Sequence, residues 1–140
     1  MAIRDEHLKR IYLDENVTCE LSPWLRCCRN SVGVDPHHIL GGPFRDDVTS
    51  NLVAVCRSAH AWVQAREIVA GRVLCLWVKW MKKELDWGHY IDRHAGCQVA
   101  WIESRPIKGR VLFEQRDITS QVRTWRAELL RDGEKWRASK

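Results

Sequence analysis

The chain has 140 residues, 45% of them hydrophobic, with eight tryptophans and a formal charge of +5. That length suits one domain with a real buried core, and no apolar run approaches the ~20 residues of a membrane span, which argues against a bilayer-embedded role. The basic excess is local: residues 1–104 balance at 13 Lys+Arg and 13 Asp+Glu, while residues 105–140 carry 10 against 5. Such a region suits a phosphate-rich partner, although a solvated, arginine-rich helix has the same composition.

The N-terminal stretch MAIRDEHLKR holds no apolar signal core, so an intracellular, cytoplasmic protein is expected. Six cysteines in that setting point to metal ligation or burial rather than a disulfide framework. Residues 5–13 read as a short helix, and residues 14–31, with Pro23 and three cysteines, as irregular chain. Residues 32–40 read as a strand entering a Gly41-Gly42-Pro43 turn. Asp46 and Asp47 follow in what reads as a solvated turn. Residues 52–56 form a second strand, and Ser58 is placed to cap a helix over residues 59–68.

A further helix fits residues 71–85, with Val73, Leu76, Trp77, Trp80 and Met81 on one face and Lys79, Lys82 and Lys83 largely opposite. Asp86 and Gly96 bracket a short helix that carries His89 and His94 as surface residues. Short strands are expected at 97–102 and 110–114. A last helix starts at Asp117 or Thr119 and ends at Gly133, with Ile118, Val122, Trp125 and Leu129 on its inner face. Cys75 and Cys97 sit in apolar stretches and read as core. The tryptophans, at helical spacing, read as packing rather than base-stacking residues.

The chemistry concentrates between residues 34 and 63, VDPHHILGGPFRDDVTSNLVAVCRSAHAWV. His37 and His38 stand at a strand end, Asn51 before the second strand, and His60 at the start of the following helix. One imidazole of the pair can bind a metal while its neighbour stays free as a base, because imidazole exchanges protons near neutral pH. Asn51 cannot do acid–base work, but its amide can lock a loop or orient a ring. The set can hold one divalent ion and activate one water, which suits phosphodiester hydrolysis.

In this order the residues resemble the HNH endonucleases of the ββα-metal superfamily. The likeness runs over residues 19–66, through the cysteines Cys19 to Cys28, His37-His38-Ile39, Gly41-Gly42, Asn51-Leu52, Cys56 and His60. The resemblance implies an α+β fold with a ββα-metal core, additional helices and a basic C-terminal region. It divides the chain into a Cys-rich nuclease core at 1–68 and a helical, short-strand extension at 69–140, packed together as one domain. It implies a phage or prophage source and single-metal hydrolysis of DNA that leaves 5′-phosphate and 3′-hydroxyl ends.

By the same resemblance, His37 and His60 are metal ligands, His38 is the general base, and Asn51 braces the loop and orients that base. Relatives often carry a further histidine one turn after the second ligand; here Gln64 stands there, a weaker third ligand. The ion would be Mg²⁺, Mn²⁺, Ni²⁺ or Zn²⁺, with imidazoles favouring the last three. Relatives also carry a structural zinc on two Cys pairs. Cys19, Cys27, Cys28 and Cys56 are the candidates here, although residue 59 is Ala where a second Cys-x-x-Cys ligand would stand. The alternative is that zinc has been replaced by packing, with Trp24 as filler. Arg123, Arg126 and Arg131 are the candidate DNA contacts. A competing reading is a nucleic-acid-binding module that kept the fold without catalysis, and a third is a nuclease acting on RNA.

Overall fold

A helix sealed onto a two-stranded hairpin forms the centre of the first half of the chain. The computed structural model describes residues 2–28, 33–65, 68–92, 102 and 105–140. It divides into two units, Met1–Arg66 and Glu67–Lys140, in a mixed α+β architecture of helices and small antiparallel sheets. Among the described residues no helix is long and apolar enough to cross a membrane.

In the first unit, α1 (Glu6–Glu15) begins where the Asp5 carboxylate accepts the Leu8 N–H at 3.0 Å, an N-cap that satisfies one of the helix's free amides. Strands β1 (Asp35–His38) and β2 (Leu52–Val55) pair antiparallel, His37 opposite Val53 and His38 opposite Leu52. Tyr12, Leu52 and Ala54 form a buried cluster joined by Leu8, Leu13 and Val34, so α1 lies over the hairpin. Every residue of β2 is buried, which explains its unbroken apolar run. Helix α3 (Arg57–Gln64) follows β2 directly. Its N-cap is the Cys56 thiol, which accepts the Ala59 N–H at 3.5 Å, not the expected Ser58. The supposedly irregular N-terminal stretch contains a single helical turn, α2 (Ser22–Leu25).

In the second unit, α4 (Ile68–Met81) starts and stops earlier than its pattern suggests. It ends because Lys83 adopts φ +61°, its N–H bonding Trp80 O and the Glu84 N–H reaching back to Lys79 O. That is a Schellman stop built without glycine, and so invisible in the sequence. The same turn folds Glu84 onto Lys79, whose Nζ lies 2.8 Å from Oε1. Lys79 is therefore fully buried and Met81 exposed, the reverse of the expected stripe. Cys75 is buried as expected.

Asp86 does act as a cap, accepting the His89 N–H, but the segment it opens is a π-type turn over Gly88–Asp92. His89 is half-buried and edge-on to Tyr90, rather than on the surface. His94, Gly96 and Cys97 lie outside the described residues, as does the strand expected at 97–102 except for buried Ile102.

Strands β3 (Leu112–Phe113) and β4 (Arg116–Asp117) form a tight hairpin through Glu114 and Gln115, both at positive φ. This is the geometry of a primed two-residue turn. Helix α5 (Thr119–Ala138) buries Val122, Trp125 and Leu129 as expected, but it runs through Gly133, which is buried within it. The i,i+3 pairs Glu128–Arg131 and Glu134–Arg137 flank that glycine and support continuation.

Candidate metal and histidine sites

Two clusters lie in the first unit. The first is the four cysteines, whose sulfur atoms all lie within 4.8 Å of one another. Among the described residues this is the one group of three or more Cys, His, Asp or Glu side chains so arranged. A backbone exchange builds it. The Glu20 N–H donates to Ala54 O at 2.8 Å, and the Ala54 N–H donates to the Glu20 carboxylate at 2.7 Å. Cys19, one residue before Glu20, is thereby held beside Cys56, two residues past Ala54. Ala54 faces Pro36 across the hairpin. Because its polar groups turn outward to Glu20, it asks nothing of a proline that has no N–H to give.

Helix α2 then turns the chain back. Arg26 and Cys28 both take left-handed conformations, at φ 54° and 52°. These two bends let the adjacent cysteines Cys27 and Cys28 reach one point. Cys27 Sγ lies 3.6 Å from Cys19 Sγ and 3.9 Å from Cys28 Sγ. Tetrahedral thiolates at ~2.3 Å from an ion stand about 3.8 Å apart, so the cluster fits a closed four-sulfur metal site. Cys28 brings the fourth sulfur that residue 59 does not. The electrostatics single out Cys19 as the thiol that gives up its proton most readily, while burial raises Cys28. The Cys27 thiol hydrogen-bonds to Cys19 and, against the effect of burial, lowers Cys19 to about 5. Cys27, the donor in that pair and itself buried, is pushed up. Trp24, the proposed filler, is only half-buried.

The second cluster surrounds the histidine pair. His37 and His38 have different partners. The His37 ring meets the His60 ring edge-on, centroids 5.4 Å apart, bringing β1 and α3 together. Asp35 lies two residues before His37, and its carboxylate stands 3.8 Å from His60 Nδ1. The i,i+2 spacing on a strand puts Asp35 and His37 on one face, a signal the motif reading passed over. Two imidazoles and a nearby carboxylate are ligand types of the nitrogen–oxygen kind, but among the described residues only the four cysteines converge as a metal-holding group. Gln64 is exposed in the last turn of α3, one turn beyond His60.

His38 is nearly enclosed, 8% exposed. Its Nε2 lies 2.7 Å from Asp47 Oδ1, and its Nδ1 accepts from Arg45 Nε at 3.2 Å. Asp47 and Asp46 are buried rather than solvated, which corrects the expectation for this turn. The N-terminal segment holds them: the Asp5 N–H donates to Asp47 Oδ2 at 2.8 Å, the Ile3 N–H donates to Asp46 Oδ1, and the Asp47 N–H donates to Ile3 O. Burial pushes the Asp47 carboxyl up, but the His38 and Asp5 hydrogen bonds and the Lys9 charge outweigh it and hold Asp47 below its ordinary value. An ionised carboxylate only accepts and an arginine Nε–H only donates. The neutral His38 ring therefore carries its proton on Nε2 and its lone pair on Nδ1.

Asn51 is fully buried and spans the loop. Its Oδ1 accepts the Leu40 N–H at 2.8 Å, and its Nδ2 donates to Leu40 O and Asp46 O. It braces the loop as expected; the ring itself is oriented by Asp47. The sequence carries no signal for Arg45 against His38, and the burial of Asp47 depends on the Asp5 amide, more than 40 residues away.

The three arginines of α5 differ. Arg123 and Arg126 line a cavity of about 300 Å³ with Ile107, Ala127 and Leu130. Arg131 is paired with Glu128 at 2.8 Å. No protein-family model, curated protein or solved structure matches the chain.

Proposed function

We propose that the protein is a metal-dependent endonuclease of the HNH type, which hydrolyses DNA phosphodiester bonds and carries a separate structural zinc on Cys19, Cys27, Cys28 and Cys56. The observation that carries this reading is the approach of His37 to His60 at 5.4 Å, next in the chain to a histidine whose Nδ1 lone pair is fixed.

His37 and His60 would hold a divalent ion, with Asp35 and Gln64 at hand as weaker contributors. When bound, that ion supplies Lewis-acid stabilisation of charge developing on the phosphate. His38 Nδ1 takes the proton of the attacking water. Asp47 keeps the other ring proton on Nε2, so the base presents one lone pair in one direction, as a buried aspartate does for a catalytic histidine elsewhere. Asn51 holds Leu40 and Asp46 together, so the ring and its carboxylate stay in register.

The second reading, a nucleic-acid-binding module without catalysis, draws on the burial of His38 and on the arginine that covers its lone pair. Nicking of supercoiled plasmid with Mg²⁺, Mn²⁺ or Ni²⁺ separates the two, and the same assay on RNA tests the third. The endonuclease reading expects metal-dependent nicking that His38→Ala reduces by ~10²–10⁴, with duplex binding kept within a few-fold. Absence of nicking with every ion, or parental nicking by His38→Ala, would overturn it.

A further inference from the structure

Arg45 is the one side chain placed over the lone pair of His38. Its Nε donates to Nδ1 at 3.2 Å, so in the free protein the proton-accepting atom is already occupied. The atom beneath is buried while Arg45 itself is exposed. Moving the guanidinium away breaks its bond to Nδ1 and leaves that atom without its donor. Only Nε is committed to His38; the Nη groups have no carboxylate partner within ion-pair distance among the described residues. Of the two buried acids that follow Arg45, Asp46 accepts the Ile3 N–H and Asp47 spends its oxygens on His38 and the Asp5 amide.

The loop that presents Arg45 is open. Residues 41–45 are all exposed, and a Cβ built at Gly41 or Gly42 would meet nothing within 4 Å. Arg45 is thus a guanidinium fork on an accessible rim, directly above a neutral nitrogen acceptor. A phosphodiester oxygen is a far stronger acceptor for that fork than an imidazole nitrogen, because its bonds are charge-assisted and can be bidentate.

We infer that Arg45 is a substrate-recognition residue that transfers from His38 Nδ1 to a backbone phosphate of bound DNA, uncovering the base only when a phosphodiester is in place. This rests on the endonuclease reading for the role of the uncovered nitrogen, but the transfer itself is a binding event and can be measured without cleavage.

The test uses the full chain, ¹⁵N-labelled at histidine, with a short DNA duplex and no added divalent ion. Adding duplex to the parent should shift the His38 Nδ1 resonance to the position it has in free Arg45→Ala, with Nε2 still protonated. Arg45→Ala should bind the duplex at least about fivefold more weakly at low salt, with a log–log salt slope shallower by about 0.9. Arg45→Lys should recover most of the affinity, since it keeps the charge. An Nδ1 signal that duplex leaves unmoved, or parental affinity and slope in Arg45→Ala, would overturn the inference. If these results hold while the parent cleaves no plasmid with any ion, the endonuclease reading falls and the phosphate contact stands.

Discussion

Glu20 and Ala54 are bound to each other twice, backbone to backbone and carboxylate to amide, and the same carboxylate accepts the Tyr12 hydroxyl. One side chain thus ties α1, the cysteine loop and β2 together. Glu20→Ala should leave the Ala54 N–H and the Tyr12 hydroxyl without their acceptor. Each stranded polar group costs about 1–3 kcal/mol. A lowered melting temperature and weaker Zn²⁺ uptake, read by a colorimetric chelator competition, are expected together. Loss of stability with parental zinc affinity would show that Glu20 does not position Cys19.

Cys56 has two duties, as a thiolate of the cluster and as the N-cap of α3. Chelation should lower the melting temperature of the parent, because ligand binding to the folded state adds directly to stability. In the metal-free state Cys56→Ala should remain less stable than Cys19→Ser, by roughly the 1 kcal/mol of a lost cap. Denaturant titration of the two stripped variants decides the point; equal midpoints would remove the capping role.

Asp47 sets an acid limb. Its folded carboxyl is held below the ordinary value, so its contribution is fully present above about pH 4, the unfolded carboxyl range, and is lost as pH falls through the folded value. Melting curves from pH 2 to 7 should show Asp47→Asn less stable than the parent near neutrality and convergence of the two below pH 4. A constant gap down to pH 2 would mean that the charge of Asp47 is not what the fold uses.

On α5, the contrast between Arg123, Arg126 and Arg131 makes a graded prediction. Each phosphate contact contributes about 0.9 to the salt slope of duplex binding. Arg131 is paired with Glu128, and Arg123 and Arg126 line the cavity beside Ile107. Arg123→Ala with Arg126→Ala should flatten the slope by roughly 1.8, and adding Arg131→Ala should change it little further. An unchanged slope in the double variant would rule out this face as a DNA surface.

Much of the first unit was legible in the sequence, because its signals are local. Alternation, a Gly-Gly turn and an apolar run define β1, β2 and the loop, and the motif order singles out His37, His38, Asn51 and His60. What was hidden depends on groups far apart in the chain. Asp46 and Asp47 look solvated until the amides of Ile3 and Asp5 close over them. Cys28 is a candidate in sequence, but the left-handed backbone that brings its sulfur beside Cys27 carries no signature there. In the second unit the stops at Lys83 and the turn at Glu114-Gln115 use residues that carry no turn signature, so the helix and hairpin limits could not be read.

The division of the chain at residue 66 also decides how it can be observed. Six of the eight tryptophans, including Trp87 with its indole bonded to Asp132, belong to the second unit, and only Trp24 and Trp62 to the first. Total tryptophan emission therefore reports mainly on the helical half and is nearly blind to events at the cysteine and histidine clusters. Trp24 lies in α2, between two of the cysteines in sequence. A chain in which it is the sole indole of the first unit, loaded with Co²⁺, would carry both an emitter and a metal absorber, and so a spectroscopic ruler confined to the half that holds the cysteine and histidine clusters.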